Sequence, residues 1–129
     1  MSRWYLDTSA AMKLIVEEAE SDALAGEIDS ELPDLVACLL LETELRRAVH
    51  RDPGLTQEAV TGLLDGVGLY ELPVSIFQEA GLLPGLSLRS LDALHLSAAI
   101  RIGVDRLVAY DVRMVQAARE LGLSVFSPA

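Results

Sequence analysis

An α/β fold in three layers, with a central and mostly parallel sheet, is what these 129 residues predict, on two observations. Short β-like runs alternate with helical stretches along the chain, and parallel strands need crossover connections of the kind helices supply. No internal repeat and no linker interrupts that alternation, so one domain over residues 1–129 is expected, at a length typical of one.

In chain order, Arg3 to Leu6 is a β-like run stopped by Asp7-Thr8-Ser9, residue types that cap helices, and Ala10 to Val16 favours helix. A second helical pattern opens at Glu20 or Ser21, turns Leu24, Ala25 and Ile28 to one side, and ends before Pro33. Leu35 to Cys38 reads as a brief strand, followed by a helix from Leu39 to Arg51 that Asp52-Pro53-Gly54 stops. Thr56 caps the next helix, through Leu64; Leu69 to Val74 alternates like a strand, and Ser75 to Leu83 is helical up to Pro84-Gly85. Ser90 is expected to cap a helix carrying Asp92, Leu96 and Ala99 to near Gly103. Arg106 to Tyr110 is then a strand, Asp111 to Leu121 a helix, and Leu123 to Phe126 a last strand.

Composition narrows the function. Hydrophobic residues make up 51% and charged residues 23%, which argues against disorder, and with aromatics at 5% the core is expected to be aliphatic. The longest apolar run, Leu35 to Leu41, is seven residues, against the ~20 that a membrane helix needs, so no membrane partner is expected. An acid at Asp7 precedes any long hydrophobic stretch, and Cys38 is alone; both are expectations of a reducing cytoplasm. The net charge of −10 disfavours broad attraction to nucleic acid. From Leu14 to Leu45 there is no Lys or Arg, while ten acids fall there, and Arg46, Arg47, His50 and Arg51 follow at once. A polyanion would have to be met by local basic patches, with the acids held away or occupied by cations.

In open parallel sheets ligands bind beyond the carboxyl ends of the strands. Two predicted strands end alike, Trp4-Tyr5-Leu6 into Asp7 and Leu107-Val108-Ala109-Tyr110 into Asp111, so these carboxylates should emerge on one edge. Crowded carboxylates repel, and one takes up a proton unless a cation neutralises them. Mg²⁺ suits such a set: it takes oxygen ligands at about 2.0–2.1 Å, commonly one or two carboxylates plus waters. Asp92, in the first turn of its helix, and Glu44 or Glu42, before the Arg pair, are the candidates to join Asp7 and Asp111.

Each has a plainer use. Asp7 and Asp111 can cap the helices that follow, and Asp92 can complement a helix dipole. Glu42 lies four residues before Arg46, the favourable order for a surface pair. Glu44 sits slightly nearer the apolar side made by Leu41, Leu45 and Ala48, but periodicity alone does not separate the two. Arg46, Arg47 and Arg51 can serve a helix carboxyl end or bind phosphate; Arg113, two residues past Asp111, and Arg89, before the Asp92 helix, lie nearer the acidic edge.

Other chemistries fit worse. One Cys and two His do not make the usual structural zinc set, and His95 reads as a packed or edge residue. Ser97 faces away from Asp92 and His95 on one helix, which disfavours a nucleophilic triad. Gly62, Gly66 and Gly68 lack dinucleotide spacing, and Met12 and Met114 read as core.

Leu6-Asp7-Thr8-Ser9-Ala10, Glu44-Leu45-Arg46-Arg47-Ala48, Leu91-Asp92-Ala93-Leu94-His95-Leu96 and Tyr110-Asp111-Val112-Arg113-Met114 occur in the order and spacing of PIN domains, and together the chain resembles the toxin nuclease of VapBC toxin–antitoxin pairs over nearly its whole length. The resemblance implies a three-layer PIN-like fold and an endoribonuclease using Mg²⁺ or Mn²⁺. Its acid cluster would be Asp7, Glu44, Asp92 and Asp111, with Asp7, Asp92 and Asp111 as metal residues. Thr8 or Ser9 would support an acid or a water, and Arg46, Arg47, Arg89 and Arg113 are candidates for RNA. The implied partners are a VapB-type antitoxin and a second copy of the chain; the acidic stretch Glu17 to Asp34 either belongs to the antitoxin interface or is a solvated face. The rivals are a noncatalytic PIN-like interaction domain, in which the acids serve only as caps, and a phosphoryl-transfer domain with Asp7 as nucleophile. The latter lacks the second Asp two positions on that the haloacid-dehalogenase-like phosphatases use.

Overall fold

The computed structural model describes residues 1–129. Its elements are β1 (Arg3–Leu6), α1 (Thr8–Ile15), α2 (Ser21–Glu31), β2 (Asp34–Cys38), α3 (Leu40–Ala48), α4 (Gln57–Asp65), β3 (Gly68–Tyr70), α5 (Val74–Gly81), α6 (Ser90–Ile102), β4 (Arg106–Val108), α7 (Val112–Glu120) and β5 (Val125–Phe126). The strands form one sheet in the order β3-β2-β1-β4-β5, every neighbouring pair parallel. This is the predicted three-layer α/β architecture. No helix is long and apolar enough to cross a membrane.

The central strand explains the core. Trp4, Tyr5 and Leu6 of β1 are all buried, which a strand achieves only when both faces of the sheet are covered. Val36, Ala37 and Cys38 of β2 and Leu107 and Val108 of β4 flank them, and Leu24, Leu41, Leu45, Val60, Leu96 and Met114 close in from the helices. The expectation of an aliphatic core is corrected here: few as the aromatics are, Trp4 and Tyr5 are among the largest fully buried side chains, because the two adjacent rings fall in the one strand enclosed on all sides.

Several predicted elements are shorter than their apolar runs. β3 stops at Tyr70 rather than Val74, since Pro73 has no N–H for the ladder and instead precedes the first residue of α5. α3 ends at Ala48; His50 and Arg51 donate to the carbonyls of Arg47 and Ala48, tightening the last turn before Pro53. Ser90 is the first residue of α6 rather than its cap, which is Arg89, with no side-chain capping bond. α6 ends at Gly103, whose φ of +73° is the left-handed turn that glycine adopts without strain.

The chain order places the site. From β1 the connections run outward through β2 to β3, and then return to the other side of β1 as β4 and β5. The switch point lies between β1 and β4, where ligand crevices form in such sheets. Leu6 pairs with Val108 at its end, and the Asp7 N–H donates to the Val108 carbonyl at 3.2 Å.

Candidate active site

Asp7 leaves β1 as the N-cap of α1, its Oδ1 accepting the Ala10 N–H at 2.9 Å and the Ser9 hydroxyl at 2.7 Å. Asp111, three residues past the end of β4 rather than directly at it, repeats the arrangement: its Oδ1 accepts the N–H groups of Arg113 and Met114 at 3.0 and 3.1 Å, capping α7. Capping therefore occupies one oxygen of each carboxylate. The Oδ2 atom of Asp7 takes no protein donor, and that of Asp111 lies 3.6 Å from the Arg89 guanidinium. Being a cap and facing a ligand are compatible uses of one side chain.

Ser9 binds the two crossovers together. Its hydroxyl donates to Asp7 and accepts the Tyr110 N–H at 2.9 Å, linking the start of α1 to the segment after β4. Thr8 and Ser9, left equivalent by the sequence, separate here: Ser9 holds Asp7, while the Thr8 Oγ1 is buried without a hydrogen-bond partner.

The four predicted acids converge. Asp7, Glu44, Asp92 and Asp111 line one cavity of about 400 Å³, together with Thr8, Ser9, Arg89, Ser90 and Leu91. Arg89 is the one base among these nine, 3.8 Å from Asp92 and 3.6 Å from Asp111, and exposed enough to move. Burial raises the pKa of Asp7 from 3.8 to about 6, against the opposing hydrogen bonds from Ala10 and Ser9. Burial also raises that of Asp92, with the charges of Asp111 and Glu44 adding to it and Arg89 and His95 opposing.

The cavity is short of positive charge, and the donor set is chemically that of a hard divalent cation. All its candidate ligands are oxygens, one buried carboxylate has an unengaged oxygen, and the buried Thr8 hydroxyl beside it is unsatisfied. The side chains do not close into a cage of three or more acidic ligands. Mg²⁺ does not require one, since it ordinarily keeps several waters and takes one or two carboxylates. The residues fit such an ion.

Glu42 and Glu44 part company by their partners. Glu42 accepts from Arg46 Nε at 3.2 Å, the predicted surface pair, whereas Glu44 meets His95 Nε2 at 2.5 Å and reaches the cavity. His95 is 1% exposed, a packed residue as expected, but its contact with a site acid was not foreseen. On α6 it lies three residues beyond Asp92, and that helical spacing was the one available signal.

The basic residues divide. Only Arg89 lines the acidic cavity. Arg46 does not line the cavity; it is engaged with Glu42, with the carbonyl and side chain of Gln57 and with Thr61, clamping α3 to α4. Arg47 is exposed on α3, and Arg113 lines a separate cavity with Leu86, Ser87, Leu88 and Gln116.

Fold and cavity together define a class, that of parallel α/β domains gathering carboxylates at the sheet's switch point. The chain belongs to the PIN domain family, whose model matches residues 4–120, and to its VapC type. It is 39% identical over 130 residues to Ribonuclease VapC46 of Mycobacterium tuberculosis (strain ATCC 25618 / H37Rv), covering 99% of both chains. Ribonuclease VapC35 of the CDC 1551 / Oshkosh strain is 39% identical over 129 residues, at 96% of both. Among solved structures, VapBC2 from Rickettsia felis, bound to a DNA fragment from its promoter, superposes with a TM-score of 0.74 at 16% identity, covering 98% of this chain and 99% of that one. Mycobacterium tuberculosis VapC20, described as a sarcin-ricin loop cleaving toxin, does so at 0.71 and 16% identity, covering 88% and 94%. At that identity the two structures speak for the fold.

Proposed function

We propose that this protein is a metal-dependent endoribonuclease, the toxin of a VapBC pair, built as one PIN domain and hydrolysing RNA phosphodiester bonds with Mg²⁺ or Mn²⁺. The observation that carries the reading is the single cavity shared by Asp7, Glu44, Asp92 and Asp111, in a chain 39% identical to curated VapC ribonucleases. An interaction domain using its acids only as caps would have no reason to gather Glu44 and Asp92 with them, since neither makes a capping bond.

Asp7 and Asp92 would hold the ion, with Asp111 completing its surroundings. When bound, the ion would make water a stronger nucleophile and offset charge developing on the phosphoryl oxygens. Ser9 fixes Asp7 through Oδ1, so Oδ2, which takes no protein donor, would be the oxygen offered to the ion. Glu44 would orient the attacking water and accept its proton; Arg89, able to leave Asp92 and Asp111, would take a phosphate of the RNA. The protein's net charge of −10 suits a basic antitoxin segment covering the cavity, and a cytoplasmic homodimer completes the proposal.

The test is cleavage of labelled RNA in Mg²⁺, in Mn²⁺ and in EDTA, by the wild type, Asp7→Asn and Asp92→Asn, with folding followed by circular dichroism. Cleavage should need the ion and be lost in both variants at equal folding. Full activity in either variant, or in EDTA, would refute the reading.

A further inference from the structure

A buried chain of polar groups runs behind the cavity and ends on Glu44. The Cys38 N–H donates to the Tyr5 hydroxyl at 3.2 Å, and that hydroxyl meets His95 Nδ1 at 2.7 Å; the Cys38 Sγ lies 3.7 Å from the same nitrogen. The other ring nitrogen, Nε2, meets Glu44 Oε1 at 2.5 Å. Tyr5, Cys38 and His95 come from β1, β2 and α6, and all three are at most 1% exposed.

The donor directions follow by elimination. A carboxylate has no hydrogen to give, so Nε2 carries one toward Glu44; in the neutral ring that leaves Nδ1 to accept the Tyr5 O–H, and in the charged ring both nitrogens carry a hydrogen and Tyr5 accepts. In either state, Nε2 donates to Glu44. The contact therefore holds whatever the ring's charge.

Such a network costs desolvation that an apolar side chain in the place of His95 would avoid, so its retention asks for a use. A use is at hand. Glu44 projects from α3 on a long, freely rotating side chain, and Arg46 and Arg47 lie two and three residues beyond it. Without an anchor the carboxylate would sample solvent. With His95 gripping one oxygen, the carboxylate is held at the cavity that Glu44 lines.

We propose that His95 is a positioning residue of the active site: its Nε2–H, held from behind by Tyr5, fixes the Glu44 carboxylate in the orientation in which it serves the attacking water. This deepens the ribonuclease reading and rests on it. Interactions that orient the groups around a metal site typically cost 10- to 100-fold in activity when removed.

The experiment compares His95→Leu, His95→Gln, Tyr5→Phe and Glu44→Gln, with the double variants His95→Leu/Glu44→Gln and Tyr5→Phe/Glu44→Gln, in single-turnover cleavage of labelled RNA with Mn²⁺. His95→Leu should lower the cleavage rate about 10- to 100-fold with the RNA concentration for half-saturation unchanged. His95→Gln, whose amide N–H can reach where Nε2 stood, should recover most of that loss. In the Glu44→Gln background His95→Leu should cost nothing further, because the group it positions is gone. If His95→Leu does not fold, Tyr5→Phe, which keeps the ring, carries the same test: a smaller loss that disappears in the Glu44→Gln background. Losses that multiply in the double variants, or a His95→Gln enzyme as slow as His95→Leu, would overturn the positioning role while an inactive Asp7→Asn left the ribonuclease reading standing. An Asp7→Asn protein as fast as wild type would overturn both.

Discussion

Asp7→Asn should stabilise the metal-free protein while abolishing its activity. Asparagine keeps the Oδ1 that accepts from Ser9 and Ala10, and its amide replaces an oxygen that has no protein donor, so the cap survives. What the substitution removes is a buried negative charge. A rise in the Asp7 pKa from 3.8 to about 6, at about 1.4 kcal/mol per pH unit, corresponds to about 3 kcal/mol of native-state destabilisation. That figure is already net of the hydrogen bonds from Ala10 and Ser9, which hold the pKa down against burial, so the neutral isostere should gain about 3 kcal/mol. For a domain of this size that is about 8–15 °C in melting temperature. The sign follows from proton counting: between pH 4 and 6 the native state binds more protons at Asp7 than the unfolded chain, so this group's contribution to stability falls as pH rises through that window. The advantage of Asp7→Asn should thus be complete above pH 6 and vanish toward pH 4. Thermal unfolding of both proteins in EDTA, from pH 4 to 8, reads it directly. A variant no more stable than wild type at pH 7.5, or a difference that does not shrink in acid, would refute the reasoning.

Other outcomes follow from the same contacts. Arg46→Ala should lose about 1–2 kcal/mol in urea unfolding through its bonds to Glu42, Gln57 and Thr61, yet leave the salt dependence of RNA binding unchanged; a flatter salt slope would restore it as a phosphate ligand. Arg89→Ala should weaken RNA binding and reduce the slope of log K against log salt by about 0.7, the value for one contact to a single strand, and an unaltered slope would remove it from the interface. Saturating Mg²⁺ or Mn²⁺ should raise the melting temperature of the wild type, by about 2.7 kcal/mol of stability at a hundredfold excess over Kd, and should do little for Asp7→Asn; equal stabilisation of both would place the ion elsewhere.

Much of this site was legible because its first elements are local. Trp4-Tyr5-Leu6 running into Asp7, and Leu107-Val108 followed closely by Asp111, put two acids past the ends of strands that prove to be neighbours in register. The Asp92 helix and its position were equally readable. What could not be read were choices that depend on partners distant in sequence. Glu42 and Glu44 differ little in helical phase; the Arg46 partner of Glu42 is local, but the His95 that holds Glu44 is 51 residues away. Thr8 and Ser9 were separated by the Tyr110 N–H, 101 residues from Ser9. The Glu42–Arg46 pair was readable from its spacing, but the contacts of Arg46 with Gln57 and Thr61 were not, because those residues belong to the next helix. The two buried rings of β1 were hidden by a composition that counts aromatics without locating them.

The claim on which the account turns is that Asp7 and Asp92 hold one divalent ion in the cavity they share with Glu44 and Asp111. Crystals of the full chain grown with Mn²⁺, with diffraction recorded at the manganese absorption edge, test it most directly. The account predicts one strong anomalous peak in that cavity, within coordination distance of Asp7 Oδ2 and of an Asp92 oxygen, and none in crystals of Asp7→Asn. A protein that cleaves RNA in Mn²⁺ but shows its only peak away from these four carboxylates would contradict it.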